Sequence, residues 1–468
     1  MSCTIWWIRR DLRLHDNQAL DAARRDGQVV IPLWIFDPAL INSPNTGRKR
    51  FAFLREGLCA LDKELRLRGS RLIVRHGAPG DVLQVLLLET GASAVYAKAD
   101  HTPYARRRDS AIASTLPLHL FAGTTVHPPG SVLKADGGPY SLFSAFRSTW
   151  LSLPLPGTAS LIPTPHNLQS PPAVIGDPLE PGTEENSASS ELFPAGEAAA
   201  LQRLEQFVQG GLATYGEQRN RLDQLATSCL SPYLRFGMLS PRHAVVAALE
   251  ALPGAASGAR AWLDELIWRD FFTHVLHHFP YVQHQSFREK YRSFRWRDDE
   301  IGLTAWQQGQ TGYPVVDAAM RQLQETGWLP NRARMIAASF LSKHLLLDWR
   351  DGERWFRRQL LDGDLAANNG NWQWVAGTGT DAAPYFRIFN PITQGKKHDP
   401  DGQYVRHWVP ELATVSTKFV HEPWQMPPEV QQAAGCIIGE VYPWPIVDHR
   451  MARDRALAFY RSDVQFVD

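Results

Sequence analysis

Five short apolar runs near the N-terminus set what this chain can fold into. Residues 4–8, 29–36, 71–75, 94–97 and 118–121 are rich in β-branched and aromatic residues, and none alternates apolar with polar. Runs without alternation are expected in strands buried on both faces. Helical patterns fill the gaps, at residues 17–25, 48–68, 79–90 and 103–114. This rhythm predicts a doubly wound parallel sheet of about five strands over residues 1–127, the α/β part of the chain. No GxGxxG and no GxxxxGK[ST] follows any run, so the dinucleotide fingerprint and the phosphate loop are both absent. Arg9, Arg10 and Asp11 follow the first run, and Asp37 follows the second. Such positions can meet a ligand at the carboxyl ends of the strands, although strand-end solvation is the plainer reading.

The pattern then changes twice. Residues 128–198 collect Pro, Ser, Gly and Thr, including Pro154, Pro156, Pro163, Pro165, Pro171, Pro172, Pro178 and Pro181. Proline on this scale rules out long helices and central strands, so the stretch reads as a connection between domains. Residues 137–150 are the exception, because their aromatics should pin them to a domain. From residue 199 to 468 the periodicity is helical, with amphipathic stretches at 197–209, 241–251, 258–279, 314–325, 331–347 and 353–361. An all-helical domain is expected there.

Composition narrows the chemistry. The four cysteines, Cys3, Cys59, Cys229 and Cys436, are scattered with no CxxC, which argues against a disulfide framework and a zinc site. The expectation is no metal. The first apolar run is broken by charge too soon for a signal peptide, and no segment is long enough to span a membrane, so a cytoplasmic protein is expected. The net charge of +1 means that any nucleic-acid binding must come from a local basic patch. The run HQSFREKYRSFRWR, residues 284–297, is one candidate, since Arg288, Lys290, Arg292, Arg295 and Arg297 interleave with aromatics. Arg332, Lys396 and Lys397 add to it, against the alternative of a merely solvated face.

Residues 362–391 carry the densest chemistry. Asp362 and Asp364, the pair Asn368 and Asn369, and Trp372 and Trp374 follow one another in a stretch poor in Leu, Ile and Val. Carboxylates and amides at this density suit the hydrogen-bonding rim of a large planar ligand, with indoles to stack on it or carry electrons. The plain alternative is a polar loop beside an aromatic cluster. Trp262, Glu265, Trp268 and Arg269 fall at spacings of three and four, which predicts one helix face, either a ligand wall or a solvated ion-paired surface. Asn331, Arg334 and Met335 align in the same way one turn apart. Thr227, Ser228 and Ser231 form a hydroxyl-rich helix entry that either holds phosphates or simply caps.

The motifs WWIRRDLRLHDN (6–17), ELIWRDFF (265–272), TGYPVVDAAMRQL (311–323), DGDLAANNGNWQW (362–374) and TGTDAAPYFRIFNP (378–391) resemble the photolyase/cryptochrome family. Within it, the resemblance points to the class I photolyases that repair cyclobutane pyrimidine dimers. It implies an α/β domain, a long linker and a helical domain that binds FAD. Tyr215, Thr227, Ser228, Leu230 and Ser231 match positions around the FAD phosphates. Glu265, Arg269, Arg334, Asp362, Asp364 and Asn368 match positions around the rest, with Arg334 and Asp362 able to pair and Asn368 facing the flavin N5.

The same resemblance implies a flipped-out dimer in UV-damaged DNA as substrate. Trp268 and Trp374 would be its aromatic walls, Asn331 and Met335 its contacts, and Glu265 a hydrogen-bond partner of the thymine carbonyl edge. Arg219, Arg332 and Gln394 match positions that hold the DNA backbone. Trp372, Trp349 and Trp296 match a tryptophan chain that reduces the flavin in light. Asn371 and Pro330 depart from the residues common there. Tyr104 and Ala105 stand where folate-binding members carry an Asn-Glu pair, and ADHTPYARRRD (99–109) is closer to deazaflavin-binding members. The expected second chromophore is therefore 8-hydroxy-5-deazaflavin, ahead of FMN or methenyltetrahydrofolate, with Arg10, Asp37, Asp100 and Arg235 as candidate contacts. A monomer acting on the nucleoid is expected.

Two related activities compete. A cryptochrome-type light sensor would alter the dimer contacts, yet Glu265, Trp268, Asn331, Met335 and Trp374 are all present. A (6-4) photolyase needs a His general acid at the positions of Asn331 and Met335, and neither is His.

Overall fold

The structure, a computed structural model, describes residues 2–169, 173–179 and 191–462. Five parallel strands form one sheet in the order β3-β2-β1-β4-β5, with β1 Cys3–Ile8, β2 Val29–Phe36, β3 Ile73–His76, β4 Val95–Lys98 and β5 Leu118–Phe121. The central strands are buried along their whole length, as their unbroken apolar sequence requires. β5 is the exception, since it lies at the sheet edge and leaves His119 and Leu120 exposed. β3 starts two residues later than the apolar run. Leu72 donates its N–H to Asp62, and the Arg71 guanidinium donates to the Val174 carbonyl.

Helices α1 Gln18–Asp26, α2 Pro38–Ile41, α3 Arg48–Arg66, α4 Pro79–Thr90 and α5 Pro103–Ala113 connect the strands. Asn17 caps α1 by accepting from the Leu20 N–H, and Thr102 caps α5 through Ala105. The single turn of α2, capped by Asp37, carried no periodic signal in the sequence. Strand order reverses between β1 and β4, so a crevice is expected at their carboxyl ends. Arg9, Arg10, Lys98 and Asp100 stand there.

The proline-rich stretch holds a helix, α6 Phe143–Ser152. Buried Phe146 and Trp150 hold it, and the Trp150 indole donates to Asp270 at 3.1 Å. Pro154, Pro156, Pro163, Pro165 and Pro178 lie outside helices and strands. Pro171, Pro172 and Pro181 fall outside the described residues.

The chain packs as two compact units. One comprises residues 1–216, 228–280 and 361–367, and the other residues 217–227, 281–360 and 368–468. The second is all-helical among its described residues. Its core is built on helix Pro314–Thr326, with Trp306, Phe340, Trp349, Phe356 and Trp372 around it. Asp317 is fully buried in that helix but fully satisfied. It accepts from Thr311 twice, from the Gly312 N–H and from the Tyr442 hydroxyl.

Two expected helices end early. Residues 331–347 form an α-helix only over Asn331–Ser339, then a wider π turn over Phe340–Leu345 that stops at Leu346 with φ +55°. The Ser342 hydroxyl donates back to the Ala338 carbonyl at 2.8 Å inside this region. The stretch from residue 197 likewise passes into a π turn at Phe207–Gly211. The helix expected over 353–361 instead spans Trp349–Gln359, because Asp348 accepts the Arg350 N–H and caps it earlier.

Gly352 in that helix has no room for a side chain. A Cβ there would lie 2.1 Å from the Trp372 ring and 2.6 Å from Leu341. Gly352→Ala gains about 1 kcal/mol of helix propensity. Overpacking of the Trp372 pocket costs about 1–3 kcal/mol, so the net change is destabilising and the urea midpoint should fall.

Candidate functional site

In the first unit, helix Ala256–His278 does not present one uniform face. Trp262 is buried against Phe207, so it is core. Trp268 is half-buried and stacks flat on Phe143, with centroids 3.7 Å apart and planes 5° apart, and Phe271 and Phe272 pack beside it. Arg269 donates to the carbonyls of Thr124 (2.6 Å) and Leu234 (3.4 Å). Glu265 is half-buried. None of the four is exposed: Trp262 is buried, and Glu265, Trp268 and Arg269 are half-buried. Leu230 precedes the short helix Ser231–Phe236, next to Cys229 at φ +52°, and Tyr215 is buried. Thr227 belongs to the second unit and Ser228 to the first.

Asp364 joins two groups of predicted residues. Its Oδ1 accepts the N–H groups of Ala366 and Ala367, capping helix Leu365–Ala376, while Oδ2 meets Arg10 at 2.5 Å. Arg235 approaches the same carboxylate at 3.9 Å, and Arg10 lies 3.7 Å from Asp100. Arg10, Asp100, Arg235 and Asp364 therefore form one network. Burial alone would raise the Asp364 carboxyl, but the guanidiniums of Arg10, Arg235 and Arg269 outweigh it and hold it well below the usual range. Burial and Arg10 act in the same opposed way on Asp100, which is held at about 2. Burial, then the charge of Arg10, lowers Arg235 to about 9. Asp37 belongs to a different group. It accepts from the Tyr104 hydroxyl (2.5 Å) and the Ala39 N–H, with Arg108 at 3.8 Å, on the wall of an open cavity of about 550 Å³ between α4 and α5.

In the second unit, the stretch around Trp372 is helical and not a loop. The Asn368 amide donates to Glu353 twice, to its carbonyl at 3.0 Å and to its carboxylate at 2.8 Å. Asn369 and Gln373, one turn apart and both buried, bond to each other and donate to the Val282 carbonyl, while Gln373 accepts the Phe287 N–H. Sequence reasoning grouped Asn369 with the rim of a ligand and gave Gln373 no role, whereas both amides are spent on backbone groups. They clamp residues 282–287 to the helix.

Residues two apart on a helix point about 200° apart, so Trp372 and Trp374 take opposite faces. Trp372 is buried edge-on to Trp306 (6.1 Å) and Phe356 (5.0 Å). Trp374 is half-buried, with the Arg387 guanidinium 5.9 Å from its ring. Trp349 shares the core of Trp372, and Trp296 packs against it. Trp306, a neighbour of Trp372, was not singled out in the sequence.

Asn331 is exposed at its helix start, Met335 packs on the core, and the Arg334 Nε donates to the Leu329 carbonyl. Arg334 lies in the second unit and Asp362, which is buried, in the first. Arg332 donates to Asn220 at 2.9 Å and to Gln394 at 3.5 Å, and sits over Phe389. Burial, then the charges of Arg387 and Arg219, lowers its pKa, which marks a positive patch. Arg387 was a missed member, because a lone Arg in an aromatic run gives no signal. The run at 284–297 is different. Arg292 donates to the Ser286 carbonyl within the run and Arg297 to the Leu345 carbonyl outside it, so part of its charge is spent on backbone acceptors.

Residues 4–166 match the family described as DNA photolyase, and residues 262–462 match the family described as FAD binding domain of DNA photolyase. The chain belongs to the DNA photolyase family. A deoxyribodipyrimidine photo-lyase of Agrobacterium fabrum is 41% identical over 98% of this chain and 97% of its own. That of Escherichia coli is 39% identical over 99% of each. A crystal structure of a bacterial class III photolyase from Agrobacterium tumefaciens superposes with a TM-score of 0.94 at 39% identity, covering 99% of this chain and 98% of its own. A Synechocystis cryptochrome follows at 0.89 and 30%, covering 98% and 99%. The likeness thus extends beyond class I, and it gives the family and not the class. The family also fixes FAD as the cofactor of the helical domain.

The Asp100 carboxyl titrates at about 2 instead of 3.8, so its ionised form favours the fold. That stabilisation, on the order of 2 kcal/mol, is present above about pH 4 and is lost as pH falls through about 2. Urea unfolding of wild type and Asp100→Asn should show a stability gap that narrows by that amount on acidification.

Proposed function

We propose that this protein uses light to split cyclobutane pyrimidine dimers in DNA, with reduced FAD as electron donor. The observation that carries this is end-to-end similarity to deoxyribodipyrimidine photo-lyases at about 40% identity. Within the second unit, the half-buried Arg334 and the Asn368 amide held in one orientation also suit the hydrogen-bonding edge of a flavin. Bound and reduced, FAD supplies one electron on excitation, and the electron returns after the cyclobutane bonds open.

The residues of this chain hold and orient. Tyr215, Thr227, Ser228, Leu230 and Ser231 surround the phosphates, while Arg269, Arg334, Asp362 and Asp364 hold the remainder. Glu353 occupies the amide nitrogen of Asn368, which leaves the amide carbonyl to accept from a protonated flavin N5. Trp268, kept rigid by Phe143, and Trp374 bound the flipped dimer, with Asn331 and Met335 beside it. Glu265 donates to or accepts from the thymine carbonyl edge. Arg219, Arg332, Arg387 and Gln394 take the DNA phosphates. Trp372, Trp349 and Trp296 pass electrons to oxidised flavin.

Reduced holoprotein, illuminated with dimer-containing DNA, should restore intact thymines. Absence of light-dependent recovery would overturn the reading in favour of a light sensor. Glu265→Ala should slow repair by about tenfold or more with flavin still bound. Trp372→Phe should stop photoreduction yet leave repair by pre-reduced protein intact.

The second chromophore is 8-hydroxy-5-deazaflavin in this reading. Arg10 and Arg235 stand as guanidinium donors in a largely buried cluster, suited to an anionic oxygen of a ligand. The acidic hydroxyl of the deazaflavin supplies one on ionisation. Holoprotein mixed with the deazaflavin should bind it with the anion's absorption, and Arg10→Gln should weaken uptake. Retention of a folate spectrum in its place would reverse the assignment.

A further inference from the structure

Two neutral amides hold the Arg332 guanidinium at the start of helix Asn331–Ser339. Nε and Nη2 both donate to one oxygen, Asn220 Oδ1, at 3.1 and 2.9 Å, and Nη1 donates to the Gln394 side-chain oxygen at 3.5 Å. Neighbouring cations of the same unit are treated differently. Arg221 pairs with Asp223 at 2.5 Å, and Lys396 pairs with Glu422. Among the described residues Arg332 makes no such ion pair. The amides are fixed from behind. The Arg221 N–H donates to the Gln218 carbonyl and the Leu222 N–H to the His398 carbonyl. The turn that carries Asn220 is thus fastened to the end of helix Pro391–His398, which carries Gln394. The Phe389 ring meets two guanidiniums, that of Arg332 at 5.8 Å and that of Arg387 at 5.7 Å.

A guanidinium has five N–H groups in one plane. Three of those on Arg332 are taken by Asn220 and Gln394, and one remains on each of Nη1 and Nη2. Such a pair matches two oxygens of a phosphate. A carboxylate at position 220 could accept the same two bonds as the amide, but its charge would offset that of the guanidinium before any phosphate arrived. The amide fixes the plane and leaves the charge. Orientation is also settled before DNA binds, which spares the rotamer freedom that an unrestrained arginine loses on contact. We propose that Asn220 is a positioning residue for DNA, holding Arg332 by one edge with a neutral acceptor so that its full charge and its remaining N–H pair meet a backbone phosphate. This rests on the reading of Arg332 as a phosphate contact. The consequence is general affinity and not choice of lesion, because phosphate contacts carry no base information. A cation that neutralises a phosphate releases condensed counterions, so the charge left on Arg332 is read directly in the salt dependence of binding.

Binding of the holoprotein in the dark, to a duplex that carries a dimer and to the same duplex without it, tests this over a series of salt concentrations. Arg332→Gln should weaken both complexes by about tenfold and lower the slope of log affinity against log salt by about 0.9. Asn220→Asp should reproduce that loss of slope although the arginine is still present. Asn220→Ala should weaken binding severalfold and keep the wild-type slope, since the charge stays and only its orientation is lost. The bound-flavin spectrum checks folding in each variant. Wild-type slope and affinity in Asn220→Asp, with the slope lowered in Arg332→Gln, would overturn the proposal and leave the phosphate contact standing. So would a loss of slope in Asn220→Ala equal to that in Arg332→Gln, because the neutrality of the acceptor would then not be the cause. Wild-type slope and affinity in Arg332→Gln would overturn the contact itself, and the proposal with it.

Discussion

One carboxylate, Asp364, ties Arg10 at the end of β1 to the start of helix Leu365–Ala376. With one oxygen it supplies the acceptor that the first N–H groups of helix Leu365–Ala376 lack. With the other it neutralises Arg10, which would otherwise stand largely buried at the carboxyl end of β1. Neither job can be done by a neutral side chain of that size. Loss of the carboxylate would leave Arg10 and Arg235 repelling each other in a place that water only partly reaches, a far larger penalty than losing an exposed ion pair. The same constraint explains why Asp100 sits where it does. A crevice at a strand-order reversal collects positive charge only if acids are placed among it.

Beyond that carboxylate, the helix is organised by what each face can reach. Asn369 and Gln373 are one turn apart and are both spent on backbone groups of residues 282–287. Trp372 is spent on the core, edge-on to Trp306 and Phe356. Asn368, Asn371 and Trp374 are not buried and keep polar or aromatic surface for contacts beyond the core. The two indoles that look like a pair in the sequence are therefore separated by the helix itself, and they serve different surroundings.

The legible parts of the sequence are those where one physical demand acts alone. β1, β2 and β4 are buried on both faces, and nothing but apolar residues satisfies that. The helix at Leu365–Ala376 was not legible as a helix because Leu365 and Val375 are its only large aliphatic residues. Amides and indoles hold it, and they leave no apolar period to read. The face shared by Trp262, Glu265, Trp268 and Arg269 was read correctly in its spacing but not in its surroundings. Trp262 turns out to be core, and Trp268 owes its fixed plane to Phe143, more than a hundred residues away in sequence. Contacts over such separations leave no local trace. The four residues grouped for the second chromophore illustrate the same limit, since Asp37 faces the Tyr104 cavity while the other three join Asp364.

Buried cations complete the argument. Lys98 and Lys343 are each almost fully removed from water, and each donates to a single carbonyl, of Arg10 and of Ala376. Burial pushes both well below the ordinary lysine range. At Lys98 the guanidinium of Arg13 adds to burial, and at Lys343 burial acts alone. An apolar residue of the same length would pack more cheaply at either site, because it would bring no polar group to satisfy. The two positions differ in what stands next to the amine. Lys98 faces the arginine-rich strand ends, where a neutral amine limits the excess positive charge. Lys343 lies over the ring of Tyr460, whose hydroxyl donates to the same carbonyl, so one acceptor satisfies both donors. The first amine is therefore set among charges and the second among aromatic rings, and burial lowers both.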